Sequence, residues 1–529
     1  MFAFFNGLKQ GKNSTMNLLE VPEEKTLLVE PPGKFGAAQL EGHFLFGNFL
    51  ELFSEDGQGF HRLVMKLADK AAENEHGRCI CYFGPVEVLF VTNPKDLQFL
   101  IGKKTMDGGH FADMVDKDIT GIFELVFGEK AIFTTSIHTK TFQEARAEFV
   151  NVLKSPAALQ GYLPTMWSLI SKRVQEIESN NEPVKLYQTL NFIALDVIAE
   201  TQLGFKEFDD VLKKELANKI SEVMLEVTRP TTLLKSGIPF ATRCPLNSCL
   251  FSRLTTLLNE AHALIEKLIK DNEKNILATD NFISRLIMKN HLPTDSITVT
   301  KDMIDLVSQV LVAGHETTTK LMFFAMLILA NDKIHLEKIR AEISAFDEKP
   351  DREAFSKMHY LQAFMLEVLR LYPPIVHMLF QVKNAISFGK DTLQPGAIII
   401  VSPFVTQQLD HVYLNAEQFD PTRFLDEEGH LLPNIVDPDN FAFNTFGFHM
   451  KKQCPGNLFA RLEAAALIYY FVKHFHFTAS HTVDPKTSYT QVAAMKLKEE
   501  LEFDATMTFT KLTLDEEKRE SATCRSRSN

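Results

Sequence analysis

The sequence predicts a mainly α-helical chain with a smaller β region. Three observations carry that prediction. From residue 140 to 380, apolar residues recur at three- and four-residue spacing, the period of a helix with one buried face. "RCICYFGPVEVLFVTNPKDLQFLI", from Arg78, holds two apolar runs about Gly84-Pro85, the pattern of a hairpin. Residues 375–405 turn strand-like and end in "GAIIIVSPFV", and the late segment "MKLKEELEFDATMTFTKLTL" alternates as hairpin strands do.

In chain order, residues 1–29 are polar, with an acidic patch at Glu20–Glu24, and read as an extended arm that Pro31-Pro32-Gly33 ends. After the Arg78 hairpin, Asn93 is placed to cap a helix, with Pro94 at its first position and Asp96 two residues on. "ARAEFVNVLKS", "LPTMWSLISKRVQEIE", "LNFIALDVIAETQLG" and "LTTLLNEAHALIEKLIKDNEK" carry the helical period. A Pro- and Asp-rich irregular segment spans 409–442, and helix returns at 456–474. The tail 515–529 is charged and reads as disordered. With no repeat and no linker in sight, residues 30–514 are expected to form one domain.

Bulk properties narrow the class. The chain has 529 residues, 45% hydrophobic and 23% charged, a globular composition. Its 44 Phe, against one Trp and nine Tyr, imply a large apolar interior, suited to a lipophilic ligand or to an ordinary core. The net charge of −12 gives no basic bias towards nucleic acid. Six cysteines with no CxxC pair fit neither a disulfide framework nor a zinc ribbon, so a reducing, cytoplasmic setting is the default. The apolar start, Met1–Phe5, and the longest later apolar run, the ten residues from Leu321 to Ala330, are both too short to span a membrane. Peripheral contact of residues 2–5 with a membrane surface stays open.

Three stretches carry chemistry. "VLVAGHETTTK", Val310–Lys320, sits in a long helical pattern from Asp302 to about Asp332. Ala313 and Gly314 put two tiny side chains mid-helix, where Gly costs roughly 1 kcal/mol against Ala, so something is expected to approach the backbone closely. Glu316 and Thr317 then place an acid and a hydroxyl in an apolar helix; the bland alternative is a solvated turn whose threonines bond back to carbonyls. "MLEVLRLYPP" brings Glu367 and Arg370 to one helix face, as a surface ion pair or as a buried pair with Arg423 of "FDPTRF" as third member. "FNTFGFHMKKQCPG" sets Cys454 in a loop before a helix N-terminus, which favours a thiolate and so a soft ligand for iron. Phe446, Gly447 and Gly456 around it would exclude water and let amides reach the sulfur.

Together these stretches resemble the cytochrome P-450 family over nearly the whole chain. Ala313-Gly314-His315-Glu316-Thr317-Thr318 matches the family's oxygen-binding helix motif, and Glu367 to Arg370 its Glu-x-x-Arg motif. Pro421-Thr422-Arg423-Phe424 and Cys454-Pro455-Gly456 match its Pro-x-Arg-Phe segment and haem loop. "PPGKFGAAQLEGHFLFGNFLEL" is similar to the proline-rich segment before the domain in eukaryotic members, here without the usual membrane anchor. "LVFGEKAIF" and "PIVHMLF" resemble, more loosely, the sterol demethylases of the family. The haem loop departs from the family pattern: Phe446 stands eight residues before Cys454, one too many, Met450 replaces Gly, and Lys452 replaces Arg.

The resemblance implies the cytochrome P-450 fold, with a haem b between a long oxygen-binding helix and a Cys-bearing loop. It implies Cys454 as axial iron ligand, with Phe446 shielding it, and oxygen on the opposite haem face against Ala313 and Gly314. Thr317 and Glu316 would deliver protons in a dry site. Glu367, Arg370 and Arg423 would be structural. Arg146, His377 and Lys452 would meet the haem propionates, and Lys451 with Lys452 would form either a docking patch for an electron donor or an ordinary solvated pair. The implied reaction inserts one oxygen atom from O2 into a lipophilic substrate such as a sterol, fatty acid or terpenoid, with electrons from a separate reductase or ferredoxin. A member that rearranges peroxides without electrons, and a degenerate haem-binding protein, are the rival readings.

Overall fold

The computed structural model describes residues 34–42, 47–52, 59–73, 76–101, 115–116, 122–128, 132, 140–180, 182–227, 229, 231–232, 247–289, 296–388, 390–437, 439–447, 453–482, 489–491, 495–497 and 505–512. The arm 1–29, the tail 515–529 and Lys452 lie outside the described residues.

The central element is the helix Lys301–Asn331. Thr300 caps its start by accepting from the Met303 amide at 3.3 Å. Its second half, Leu321–Leu329, is buried on every side, which explains why that stretch has no polar face. At its end Asp332 takes the amides of Ile334 and His335 and so starts the next helix, Lys333–Ile343. The helix Leu186–Ile198 runs against one side of the central helix, and the helix Asn457–His474 packs against another. The helix His359–Leu371 has no capping side chain at Met358. Glu342, from the helix Lys333–Ile343, accepts the Tyr360 and Leu361 amides at 2.7 and 2.9 Å and fills that role.

The expected hairpin forms as Arg78–Phe83 against Val86–Val91, with Gly84 at φ 59° in its turn. It extends into a six-stranded sheet: Val86–Val91 pairs in parallel with Ile398–Val401, which pairs antiparallel with Met378–Val382. Asn93 caps the helix Pro94–Ile101 by accepting from Lys95 N at 2.9 Å, as expected. The C-terminal hairpin is a correction. Met495–Leu497 pairs with Tyr489–Gln491, while Thr506–Lys511 pairs with Phe475–Ala479 and Val184–Lys185 in a different sheet. Alternation marks each run as a strand but does not encode its partner.

Candidate active site

Between Val307 and Leu329 the central helix is buried except around residues 312–317. There Ala313 is exposed, and Val312, Gly314, Glu316 and Thr317 are half-buried. Positions 312, 313, 316 and 317 share one side of a helix, so they form a stripe of accessible surface in a core element. The short helix Ile122–Phe127 touches the central helix, and its half-buried Phe123 and Leu125, with Val312, pack on one apolar cluster. The stripe is therefore apolar at one end and carries an acid and a hydroxyl at the other.

The close approach expected at Gly314 is made by a neighbouring helix. A Cβ built there would meet Ile198 Cδ1 and Cγ1 at 2.8 Å. The close approach to the backbone on that side is thus the neighbouring helix, and Ala313 is the most exposed position of the open stripe. Thr317, Thr318 and Thr319 all bond back, to the carbonyls of Ala313, Gly314 and His315 at 2.8–2.9 Å. The bland expectation for the threonines is met in geometry, yet Thr317 stays on the accessible stripe. With its proton on Ala313 O, its oxygen is left as an acceptor. Glu316 Oε1 accepts from Lys320 Nζ at 2.8 Å. Lys320 was not singled out in the sequence, although the i, i+4 spacing is a recognised pairing signal.

Glu367 and Arg370 form a buried bidentate pair at 2.7 and 2.8 Å, not a surface pair. Arg423 joins as the expected third member, its Nε 3.1 Å from Glu367 Oε1. Arg370 also donates to the carbonyls of Gln407 and Ala416, both at 2.7 Å. Every charge in the cluster is met by partners, the condition under which a buried pair is tolerated.

Gln407, fully buried and not foreseen, carries the cluster on to the Cys loop. Its Nε2 donates to Arg370 O at 3.0 Å, and its Oε1 accepts from the Asn444 amide at 3.0 Å. The Thr445 hydroxyl lies 2.9 Å from the same Oε1. Next in sequence is Phe446, half-buried against the core, whose carbonyl accepts the Cys454 amide at 2.8 Å. Gly447, at φ 75°, turns the chain just after.

Cys454 is half-buried, whereas Cys79 and Cys81 are buried in the sheet. It lies just ahead of the helix Asn457–His474, whose N-cap, Gly456, offers no side chain to the first amides. A Cβ on Gly456 would stand 3.8 Å from Cys454 Sγ, so the sulfur has room on that side. From the helix Lys140–Lys154, Arg146 donates to Gln453 O at 2.6 Å and Lys154 to Gln453 Oε1 at 3.3 Å. Burial pulls both cations below their usual range, and the nearby Cys454 opposes that shift. In return the two cations favour the thiolate. A half-exposed thiol with two cations beside it and an amide donated away to Phe446 fits the donor set of a thiolate-held haem.

His377 has polar partners within the protein. It is buried; its Nδ1 is 3.0 Å from Ser402 Oγ and its Nε2 is 3.3 Å from His61 Nδ1. Burial lowers its pKa to about 3, which favours the neutral ring.

The family profile for cytochrome P-450 matches residues 38–504, and the chain belongs to the cytochrome P-450 family. Its members carry a haem b on a cysteine thiolate and use O2, a redox partner and a small-molecule substrate, which makes this chain a cytochrome P-450 monooxygenase. Cytochrome P-450 CYP72A616 of Paris polyphylla is 24% identical over 433 residues, 77% of this chain and 78% of that protein. A taxane 10-beta-hydroxylase of Taxus cuspidata is 23% identical over 329 residues, 60% of this chain and 62% of that protein. Among solved structures, the retinoic acid-bound cyanobacterial CYP120A1 superposes with a TM-score of 0.65 at 20% identity, over 90% of this chain and 99% of that one. Among the described residues, no helix is long and apolar enough to cross a membrane.

Proposed function

We propose that the chain inserts one oxygen atom from O2 into a lipophilic substrate, with electrons from a separate reductase or ferredoxin. The observation that carries this reading is the accessible stripe on the central helix, apolar at Val312 and Ala313 and polar at Glu316 and Thr317. Bound haem supplies dioxygen activation and oxygen-atom transfer. Cys454 Sγ would hold the haem iron, with the Cys454 amide donating to the Phe446 carbonyl to fix the loop and Arg146 and Lys154 favouring the thiolate. Arg146 and Lys452 serve the propionates. Glu316 passes a proton to Thr317 Oγ1, which releases the Ala313 carbonyl when it donates onward. Glu367, Arg370 and Arg423 position the loop and take no part in the chemistry. The taxane hydroxylase among the relatives supports a lipophilic substrate.

The test is the carbon monoxide difference spectrum of the reduced protein. A strongly red-shifted Soret band, lost in Cys454→Ala, is expected. A band at the position of a neutral-thiol or histidine complex would overturn the reading, and the degenerate protein would lead. Turnover of a lipid hydroperoxide with no electron donor would favour the peroxide-rearranging reading.

A further inference from the structure

Lys320 places a positive charge inside the core of the central helix. Its side chain is 3% exposed, and its ion-pair partner is Glu316, 2.8 Å away and 32% exposed. Side chains on a helix lean towards its N-terminus, so a lysine at 320 reaches back over the turn that holds 316 and 317. The residues that follow, Leu321–Leu329, are apolar and buried. A Leu or Met at 320 would pack this site without desolvating an ammonium, and replacing a buried ion pair by apolar groups is often neutral or stabilising. Packing therefore gives no reason for a lysine here. What a lysine adds is a fixed charge on the one acid of the accessible stripe.

We propose that Lys320 is a positioning residue for proton delivery: its ammonium latches Glu316 in the ionised form, beside Thr317, and Glu316 takes up a proton only as that contact opens. The inference rests on the monooxygenase reading above. Of the charged groups on the elements packed around, Arg461 Nε and both carboxylate oxygens of Glu463, on the helix Asn457–His474, have no hydrogen-bond partner among the described residues, while the others nearest the latch are engaged. Asp196, on the helix Leu186–Ile198, is held by Arg173 and Lys213. Glu367 and Arg370, on the helix His359–Leu371, hold each other. His315, on the same helix as the latch, is fully buried with its Nδ1 against the Leu311 carbonyl, and burial lowers its pKa. An ammonium in contact favours the carboxylate, so the latch keeps Glu316 ionised to lower pH than an isolated acid in this setting.

The experiment follows the carboxylic C=O stretch of Glu316 by infrared difference spectroscopy across pH, in the full-chain haem protein. The band is assigned by its loss in Glu316→Gln. In Lys320→Met its midpoint is expected to rise by at least about one pH unit. In Lys320→Arg, which keeps the charge, it should stay near that of the parent. An unchanged midpoint in Lys320→Met, or a risen one in Lys320→Arg, would overturn the latch. If Lys320→Met does not fold, the parent decides: a Glu316 already protonated at neutral pH rules out the ion pair. The carbon monoxide spectrum is recorded on each variant. Its failure in the parent would count against the monooxygenase reading, and an unmoved midpoint with a normal spectrum would count against the latch alone.

Discussion

Thr317 and Glu463 show how single side chains carry testable chemistry. Thr317→Ala removes the hydroxyl on the accessible stripe and leaves the helix backbone intact. Product formed per electron pair is expected to fall towards the 10²-fold typical of a lost proton donor, with released hydrogen peroxide making up the difference. Peroxide and product are counted against reductant consumed. Glu463, on the helix after the Cys loop, is fully buried, and neither carboxylate oxygen has a hydrogen-bond partner among the described residues. Burial raises its pKa well above the usual 4.5. An acid whose folded pKa is raised leaves stability intact below its unfolded pKa. It lowers stability as pH climbs from there through the folded value. Glu463→Gln, which imitates the protonated form, is therefore expected to raise the melting temperature at pH 8 and to change it little near pH 4. Neither Glu463 nor Lys320 was legible in the sequence. A charged residue in a helical run reads as its solvated face, and only burial shows otherwise.

At the level of the elements, the motifs named the right residues but not always the right contacts. The Glu367, Arg370 and Arg423 cluster was legible because spacing on one face and a sharp Pro373-Pro374 stop left few arrangements for it. Gly314 was legible as a site of close approach, but the approaching group is Ile198 from a helix more than a hundred residues earlier, and no local pattern encodes that pairing. Gly314→Ala is expected to destabilise the fold by about 1–3 kcal/mol through overpacking. Adding Ile198→Ala, which removes the branch the new methyl meets, should recover part of that loss. A double-mutant cycle in urea measures the coupling. A simple sum of the two single effects would mean that the helices do not meet there. The late strands show the same limit: period-two alternation was read correctly in both runs, and their partners were not.

Across the whole molecule, the polar thread from Glu367 and Arg370 through Gln407 to Asn444 and Thr445 joins the helical core to the Cys loop. The sequence shows its ends, because they carry motifs. It hides the middle, because Gln407 is a lone amide in an irregular stretch. Gln407→Leu strips partners from the Arg370 carbonyl and the Asn444 amide, at about 1–3 kcal/mol for each group left buried and unsatisfied. Chemical denaturation measures that cost, and haem bound per chain is measured beside it. Haem content is expected to fall further than the stability loss alone accounts for, since Phe446 and the Cys454 amide hang from the end of the thread. The thread also ties distant parts of the chain to the sulfur. Segments around 367–370, 407, 416–423 and 444–447 are joined through it to the Cys454 loop. An error far from the loop is therefore expected to show as a loss of bound cofactor as well as of stability, so cofactor content reports on the integrity of the whole fold.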